Sequence, residues 1–270
     1  VDMPEDASLE RTAGLLRELG AYIATVPEVT DYQVYVGTAA PINFNGLVRQ
    51  YYLREGAEVA DIQVNLTEKR LRDRKSHEIA SSTRAPLQEI GQRWGGNVKI
   101  VEVPPGPPVQ APIVAEVYGL DYNSQLERAK QIRAVFEQTD DVVDIDDTVE
   151  TKALRNVLEV DREKAALLGL TQQQIVTAVT MSLAGHDVGY LHDSSVKYAV
   201  PLRLQLPISE QRDLSAILKL RLRNNDGNLI AIGDVVNVIQ TEREQTIYHK
   251  DLLPVTFVTA DMAGDLDSPL

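Results

Sequence analysis

The residues best suited to chemistry in this chain are four histidines, a run of aspartates and one ring-bearing loop. The histidines lie at positions 77, 186, 192 and 249. Only His186 and His192 are near each other, and two imidazoles without a clear third ligand fall short of a catalytic zinc site. They read as surface histidines, and no metal or other cofactor is expected. The absence of cysteine excludes disulfides, thiolate metal sites and a cysteine nucleophile together. No G-x-S-x-G elbow, phosphate-cradling G-x-x-x-x-G-K, G-x-G-x-x-G fingerprint or H-E-x-x-H pair is present. With no nucleophile–base pair to place, no catalytic residue is expected and the chain does not read as an enzyme.

The acidic run is "TDDVVDIDDTVE", residues 139–150. It lacks the glycine that a calcium-binding loop needs for its sharp turn. In a strand, Val143, Ile145, Asp147 and Val149 would face one way and Asp144, Asp146 and Thr148 the other. Two readings stay open: a solvated face, or an acidic wall that pairs with a cationic ligand. The loop is "GTAAPINFNGLVRQYY", residues 37–52, which brings Phe44, Tyr51 and Tyr52 together in a chain that is only 5% aromatic. Either Tyr51 and Tyr52 start a strand with one ring buried, or the segment is a flexible loop presenting a ring and asparagine amides to an apolar ligand. The basic run "TEKRLRDRK" at 67–75 reads as solvated surface.

The elements that would position these groups follow from periodicity. Val1–Met3 reads as the end of a strand, so the chain is expected to be a piece of a longer polypeptide. Ser8 caps a helix whose apolar face is Leu9, Ala13, Leu16, Leu19 and Ile23. Val29–Val36 and then Ile62, Val64 and Leu66 alternate as strands do. A helix is expected over Ser76–Trp94, kinked at Pro86, which cannot donate back to Ser82. Gly95-Gly96 ends it, and Val98–Val103 follows as a strand.

"VPPGPPVQAP" at 103–112 sustains neither helix nor central strand. A proline-rich linker is stiff, so Pro104, Pro105, Gly106, Pro107 and Pro108 are expected to space two units. Beyond it the pattern recurs: Ile113–Tyr118 as strand, a helix capped by Ser124 with Glu127, a buried face of Leu126, Ala129, Ile132 and Phe136, then a strand over Val142–Val149. "SLER" at Ser8–Arg11 and "SQLER" at Ser124–Arg128 hold corresponding places, which suggests a duplicated α/β unit. Next come two helices back to back. Asp161 caps the first and Gly169 ends it; Thr171 and Gln174 box the second, Ile175, Val179 and Leu183 form its apolar face, and Gly185 stops it. Strands then dominate, over Tyr198–Leu206, Lys219–Arg223, Leu229–Ile232, Val235–Thr241 and Thr246–His249, with "NNDGN" at 224–228 as a turn. Pro254–Val258 is a last strand that can rejoin the second unit.

Net charge is −13, from 40 acidic and 27 basic residues. That opposes a nucleic-acid surface, which needs clustered cations. No stretch approaches the ~18 apolar residues of a membrane-crossing helix, so this piece reads as soluble.

Several stretches together resemble the second large periplasmic loop of resistance-nodulation-division (RND) efflux transporters of the acriflavine-resistance type. They are "MPEDASLERT" at 3–12, "VDREKAALLGLTQQQIVTAV" at 160–179, "YAVPLRL" at 198–204, "GNLIAIGDVVNV" at 227–238 and "VTADMAG" at 258–264. The resemblance implies an α+β fold: two ferredoxin-like βαβ porter subdomains, the second incomplete, with an inserted strand-rich docking subdomain. Residues 1–105 would be the first porter subdomain and 106–153 the start of the second. Residues 154–252 would be the docking insert and 253–270 the return strand. It implies the periplasmic part of a proton-driven multidrug pump in a Gram-negative inner membrane, with the membrane reached only through helices outside this chain. The implied partners are small amphiphilic or apolar substrates, a periplasmic adaptor protein, an outer-membrane channel and two further copies in a homotrimer, with no nucleic acid. Asn43, Phe44 and Asn45 would touch substrate, and Asp2 and Asp146 would face the cleft. Family members often carry arginine near Asp146, so the acid here loosens any carried-over substrate preference. The methionines of metal-exporting relatives are not evident, since Met3, Met181 and Met262 are scattered. A periplasmic protein-interaction module without small-molecule transport is the alternative.

Overall fold

A computed structural model describes residues 1–41, 43–102 and 109–263. The side chains of Phe44, Asn45 and Tyr52 are outside the description. So is most of the proline-rich stretch, and the expected spacer Pro104, Pro105, Gly106, Pro107 and Pro108 lies outside the described residues. The architecture is mixed α+β built on small antiparallel sheets. Contacts divide the chain into two compact units, Val1–Ala153 with Arg243–Leu270, and Leu154–Glu242.

The first unit opens with a short extended segment and α1 (Leu9–Ile23), which starts where Ser8 accepts the backbone N–H of Arg11. Leu15, Leu16 and Leu19 are 0–1% exposed, each such leucine contributing about 2 kcal/mol of transfer free energy. They pack with Ala60, Leu87, Ile90 and Val98. Leu9, expected on this face, is 45% exposed, because the buried stripe turns through Thr12 and Leu15 instead. Thr12 is fully buried and donates to the Ala57 carbonyl at 2.7 Å, tying the helix to the sheet below. β1 (Val29–Thr38) and β2 (Glu55–Leu66) pair antiparallel. Between them, α2 (Phe44–Val48) and a 3-10 turn at Tyr51–Leu53 replace both the open loop and the strand start expected there.

Helix α3 (Ser76–Trp94) runs through Pro86 and ends at Gly95, whose φ of 76° suits glycine. Trp94 lies over Gly14 of α1, where a Cβ would come within 2.7 Å of the indole ring. The strand expected over Val98–Val103 is not formed across the described residues 98–102. Asn97 alone makes a bridge, to Asp2, and the Ile100 N–H donates to the Asp144 carboxylate rather than to a neighbouring strand. Asp2 also bridges Val59, so the pairing order is Asn97, Asp2, β2, β1, antiparallel throughout.

The rest of this unit repeats part of that order. β3 (Ile113–Tyr118), α4 (Tyr122–Glu137) and β4 (Val142–Asp147) are completed by β11 (Tyr248–Lys250) and β12 (Leu253–Met262). β12 pairs antiparallel with β3 and with β4, as the expected return strand should. Helix α4 begins before Ser124: Asp121 is the cap, accepting the Ser124 N–H at 2.9 Å. Ser8 and Ser124 therefore do not hold equivalent capping positions. Gln125 and Ala129 are the buried residues of α4, and Gln125 reaches the Gly119 and Pro254 carbonyls and Thr256.

The second unit carries β5 (Leu154–Val160), α5 (Arg162–Leu167), α6 (Gln172–Ala184), the hairpin β6 (His186–Leu191) and β7 (Val200–Leu204), and two short helices, α7 (Ile208–Gln211) and α8 (Leu214–Leu218). β8 (Arg221–Arg223), β9 (Leu229–Ala231) and β10 (Val236–Glu242) complete it. The capping signals are seated as the sequence indicates. Asp161 accepts from Lys164, Thr171 and Gln174 form the capping box, and Gly169 has a φ of 72°. The core joins Ala165, Leu170, Ile175, Ile232, Val235 and Val236, while Leu183 at the end of α6 is exposed. Asn224 organises the turn, its side chain accepting from Asp226 and Asn228 and donating to the Leu168 carbonyl. By its contacts the unit closes at Glu242, and Tyr248–Lys250 pairs with β12 of the first unit.

Candidate functional site

Charged groups gather where residues 1–102 meet residues 109–153 and 243–263, within the first unit. At the centre is Lys99, its side chain 4% exposed, whose ammonium contacts the carboxylates of both Asp2 and Asp146. Arg54 binds Asp2 and, at 3.1 Å, Asp61, and its guanidinium stands 5.3 Å from the Tyr51 ring centroid. Three backbone facts set this geometry: Asp2 is held between Val59 and Asn97, Lys99 follows that bridge by two residues, and Arg54 immediately precedes β2.

A second clamp lies beside it. Asp144 stands at a bulge, with φ of 50° and a register shift opposite Thr259–Asp261. Its side chain is 3% exposed. One oxygen accepts from Arg84 at 3.0 and 3.1 Å; the other accepts from Gln88 and from the Ile100 N–H. Arg49 pairs with Asp261 at 3.0 Å. Asn97 donates to the Ile145 carbonyl, Glu5 accepts from Thr151, and Arg243 pairs with Glu58.

Burial and charge act against each other here. Burial disfavours the Lys99 ammonium, but Asp146 and Asp2 outweigh it and hold its pKa above the usual lysine value. Burial likewise opposes ionisation of Asp2, yet the surrounding cations, Lys99 foremost, hold its carboxyl well below the ordinary range. At Asp144 burial wins: its pKa is raised, even though Arg84 pulls the other way. Burial also raises the Tyr51 phenol. The site is therefore a set of fixed, mostly compensated charges that joins two separate sheets, and among the described residues it carries no nucleophile paired with a base.

Of the residues expected from sequence, Asp2 and Asp146 come together on a shared lysine. Asn43 lines the same cavity as Arg54, Asp61 and Lys99, and its side-chain oxygen accepts the Gly46 N–H at 2.7 Å, capping the turn of α2. The acidic run is not a solvated face, since Asp144 is buried on Arg84 and Asp147 is bound by Arg133 of α4. The basic run is mostly exposed, as expected, and within it Arg74 clamps Glu28 through two bonds of 2.6 and 2.5 Å. His186 and His192 are exposed. Sequence reasoning missed Lys99, Arg84 and Arg54. The signal was present, because Lys99 interrupts the apolar alternation of "VKIVEV" and Arg84 falls on the same helical face as Ile79 and Leu87.

A sequence model of the AcrB/AcrD/AcrF family matches residues 1–268. The chain belongs to that family. It is an RND transporter family and not a family of enzymes. Among solved structures, the chain is similar to a heavy metal efflux pump in two crystal forms. The first gives a TM-score of 0.65 at 18% identity over 97% of this chain and 27% of that one. The second gives 0.68 at 18% identity over 97% of this chain and 26% of that one. At that identity the likeness concerns the fold. The AcrB/AcrD/AcrF segment thus spans about a quarter of the length of the solved chains it matches. RND transporters reside in the inner membrane, and among the described residues no helix is long and apolar enough to cross a bilayer.

Proposed function

We propose that this AcrB/AcrD/AcrF segment is the periplasmic porter and docking portion of a proton-driven RND efflux pump. Residues 1–105 form one ferredoxin-like porter lobe, 106–153 with 243–270 the other, and 154–242 the docking insert. The observation that carries this reading is the pair of sheets with matching connectivity joined by charge rather than by a common ladder. In each, an extended segment, a helix, an outer strand and a returning central strand follow in that order, and the central strand lies between the first and the outer one. Such a seam can part and re-form as rigid bodies move, because ion pairs reform in register while a packed apolar core would have to be exposed.

The docking assignment draws support from the β6–β7 hairpin, on which Val188, Tyr190, Leu191, Val200, Leu202 and Leu204 are 43–65% exposed. Clustered apolar exposure marks a protein-contact surface, suited to an adaptor, an outer channel or the neighbouring copies of a trimer. Amphiphilic organic compounds are the substrate class. Asp2, Asp146, Asp144 and Asp261 are each engaged by Lys99, Arg84 or Arg49, which leaves little free negative charge at the seam for a metal cation. Asn43, Phe44 and Asn45 are the proposed substrate contacts.

This segment has no cysteine, so a cross-link across the seam is a direct test once any cysteines elsewhere in the full-length transporter are replaced. Glu5→Cys with Thr151→Cys places one thiol on each side of the seam, where these residues are hydrogen-bonded. Oxidation of that pair in the full-length transporter should stop export of an amphiphilic dye, and reductant should restore it. Undiminished export by the oxidised, cross-linked pump would overturn the reading.

A further inference from the structure

At one end of the sheet formed by β3, β12 and β11, three leucines stand in solvent: Leu120 is fully exposed, Leu252 94% and Leu253 53%. They are held side by side by a buried glutamine. The Gln125 amide of α4, 2% exposed, donates to the carbonyls of both Gly119 and Pro254, which sets the residue after Gly119 beside the one before Pro254. The same end is braced twice more. The Tyr122 hydroxyl donates to the Thr246 carbonyl at 3.2 Å, and Glu116 accepts from both Tyr118 and Lys250. We propose that this end is a docking knob centred on Leu252, which seats in an apolar socket on a separate protein whose rim carries lysine or arginine.

The backbone at Leu252 carries the argument. Two residues, Asp251 and Leu252, join β11 to β12, with φ of 51° and 66°. Two-residue hairpins favour positive φ at both positions, which is why Asn-Gly and Asp-Gly dominate them. Aspartate tolerates that conformation, but the Cβ of a leucine crowds the following carbonyl. Among the described residues Leu252 is the only apolar one at positive φ. The turn between β8 and β9 shows the ordinary solution, with Gly227 at a φ of 86° in an all-polar run. Leu252 is thus unfavourable in its backbone and again in its hydration, and at 94% exposure no packing within this chain offsets either cost. Strain that local structure does not need marks a position kept for its side chain.

Charge selects the occupant. Lys250 is drawn to Glu116, so the exposed Asp251 and Asp121 leave the rim of the knob acidic. An anionic lipid surface would repel that rim. A second copy meeting the knob with its own would set Asp251 against Asp251, and the net charge of −13 opposes other pairings of copies. A protein socket that is apolar at its floor and cationic at its edge satisfies both parts of the surface. The knob belongs to the first unit and is a different surface from the β6–β7 hairpin of the second. The inference does not rest on the transport reading, and its test does not measure export.

That test places the photoreactive residue p-benzoylphenylalanine at position 120, and separately at 253, of the full-length transporter. Native cells are irradiated and the adducts are mapped by mass spectrometry. Both positions should label the same stretch of one other protein, apolar and with lysine or arginine within a few residues. Asp251→Lys, and separately the pair Asp251→Asn with Leu252→Gly, should each lower the adduct yield about tenfold. In this chain the Asn-Gly pair should also lower the unfolded-to-folded ratio about 5-fold, because it relieves the left-handed leucine. A leucine with a merely structural role would give the opposite change in stability. Adducts confined to the transporter's own copies or to lipid, or no adduct at either position, would overturn the proposal. So would an Asn-Gly variant that keeps its adduct yield or is less stable than the parent.

Discussion

Replacing Lys99 with methionine isolates the charge at the centre of the seam, because the thioether keeps most of the buried stem. Lys99 is 4% exposed, and Asp2 and Asp146 are 29% and 31% exposed. Breaking a buried ion pair by removing one partner costs about 3–5 kcal/mol, since the remaining charges stay desolvated. Both carboxylates reach solvent, and Asp2 keeps Arg54, so the cost belongs at the low end, about 3 kcal/mol. Trp94 is the only tryptophan in the chain and lies in the first unit, so its fluorescence in urea reports that unit alone. With an m-value of about 3 kcal/mol per M, at the upper end for small proteins, the midpoint should fall by about 1 M. In the Lys99→Met background, Asp146→Asn should be neutral or stabilising, whereas alone it should destabilise. A midpoint lowered by less than ~0.3 M on that m-value, or additive effects in the cycle, would refute the claim that Lys99 holds both acids.

Three further outcomes follow from other parts of the molecule. The raised Asp144 pKa means that the folded state binds more protons than the unfolded one between the ordinary aspartate pKa of about 3.9 and the folded value. Relative to Asp144→Asn, the parent chain should therefore lose stability as pH rises through that window, and a flat difference across a urea series at several pH values would contradict it. Gly169→Ala forces a side chain to a φ of 72° and should cost about 1–2 kcal/mol, seen as a lower thermal midpoint of the Leu154–Glu242 unit by circular dichroism. Thr171→Ala removes the hydroxyl half of the capping box and should cost about 1 kcal/mol, while Thr171→Ser should restore nearly all of it.

Local signals survived translation into structure wherever the physics was local. The caps at Ser8, Asp161 and Thr171, the left-handed stops at Gly95 and Gly169 and the Asn224 turn depend on neighbours within a few residues, and each is where the sequence reading placed it. Ser124 misled because Asp121, equally good as a cap, lies one turn earlier. Val98–Glu102 misled for a different reason: a strand pattern describes only what one chain segment offers, and a ladder also needs a partner edge in place.

The sequence by itself determined the family, through its resemblance to known motifs, and the mixed α+β class and the main capped helices, because periodicity and capping are properties of contiguous residues. Only tertiary structure decided that Asp2 and Asp146, far apart along the chain, share the ammonium of Lys99, and that Asp144 is buried on Arg84. Whether an aspartate is solvated or clamped depends on which cation the fold brings within about 3 Å, and that distance is set by packing between lobes, for which one-dimensional spacing carries no signal.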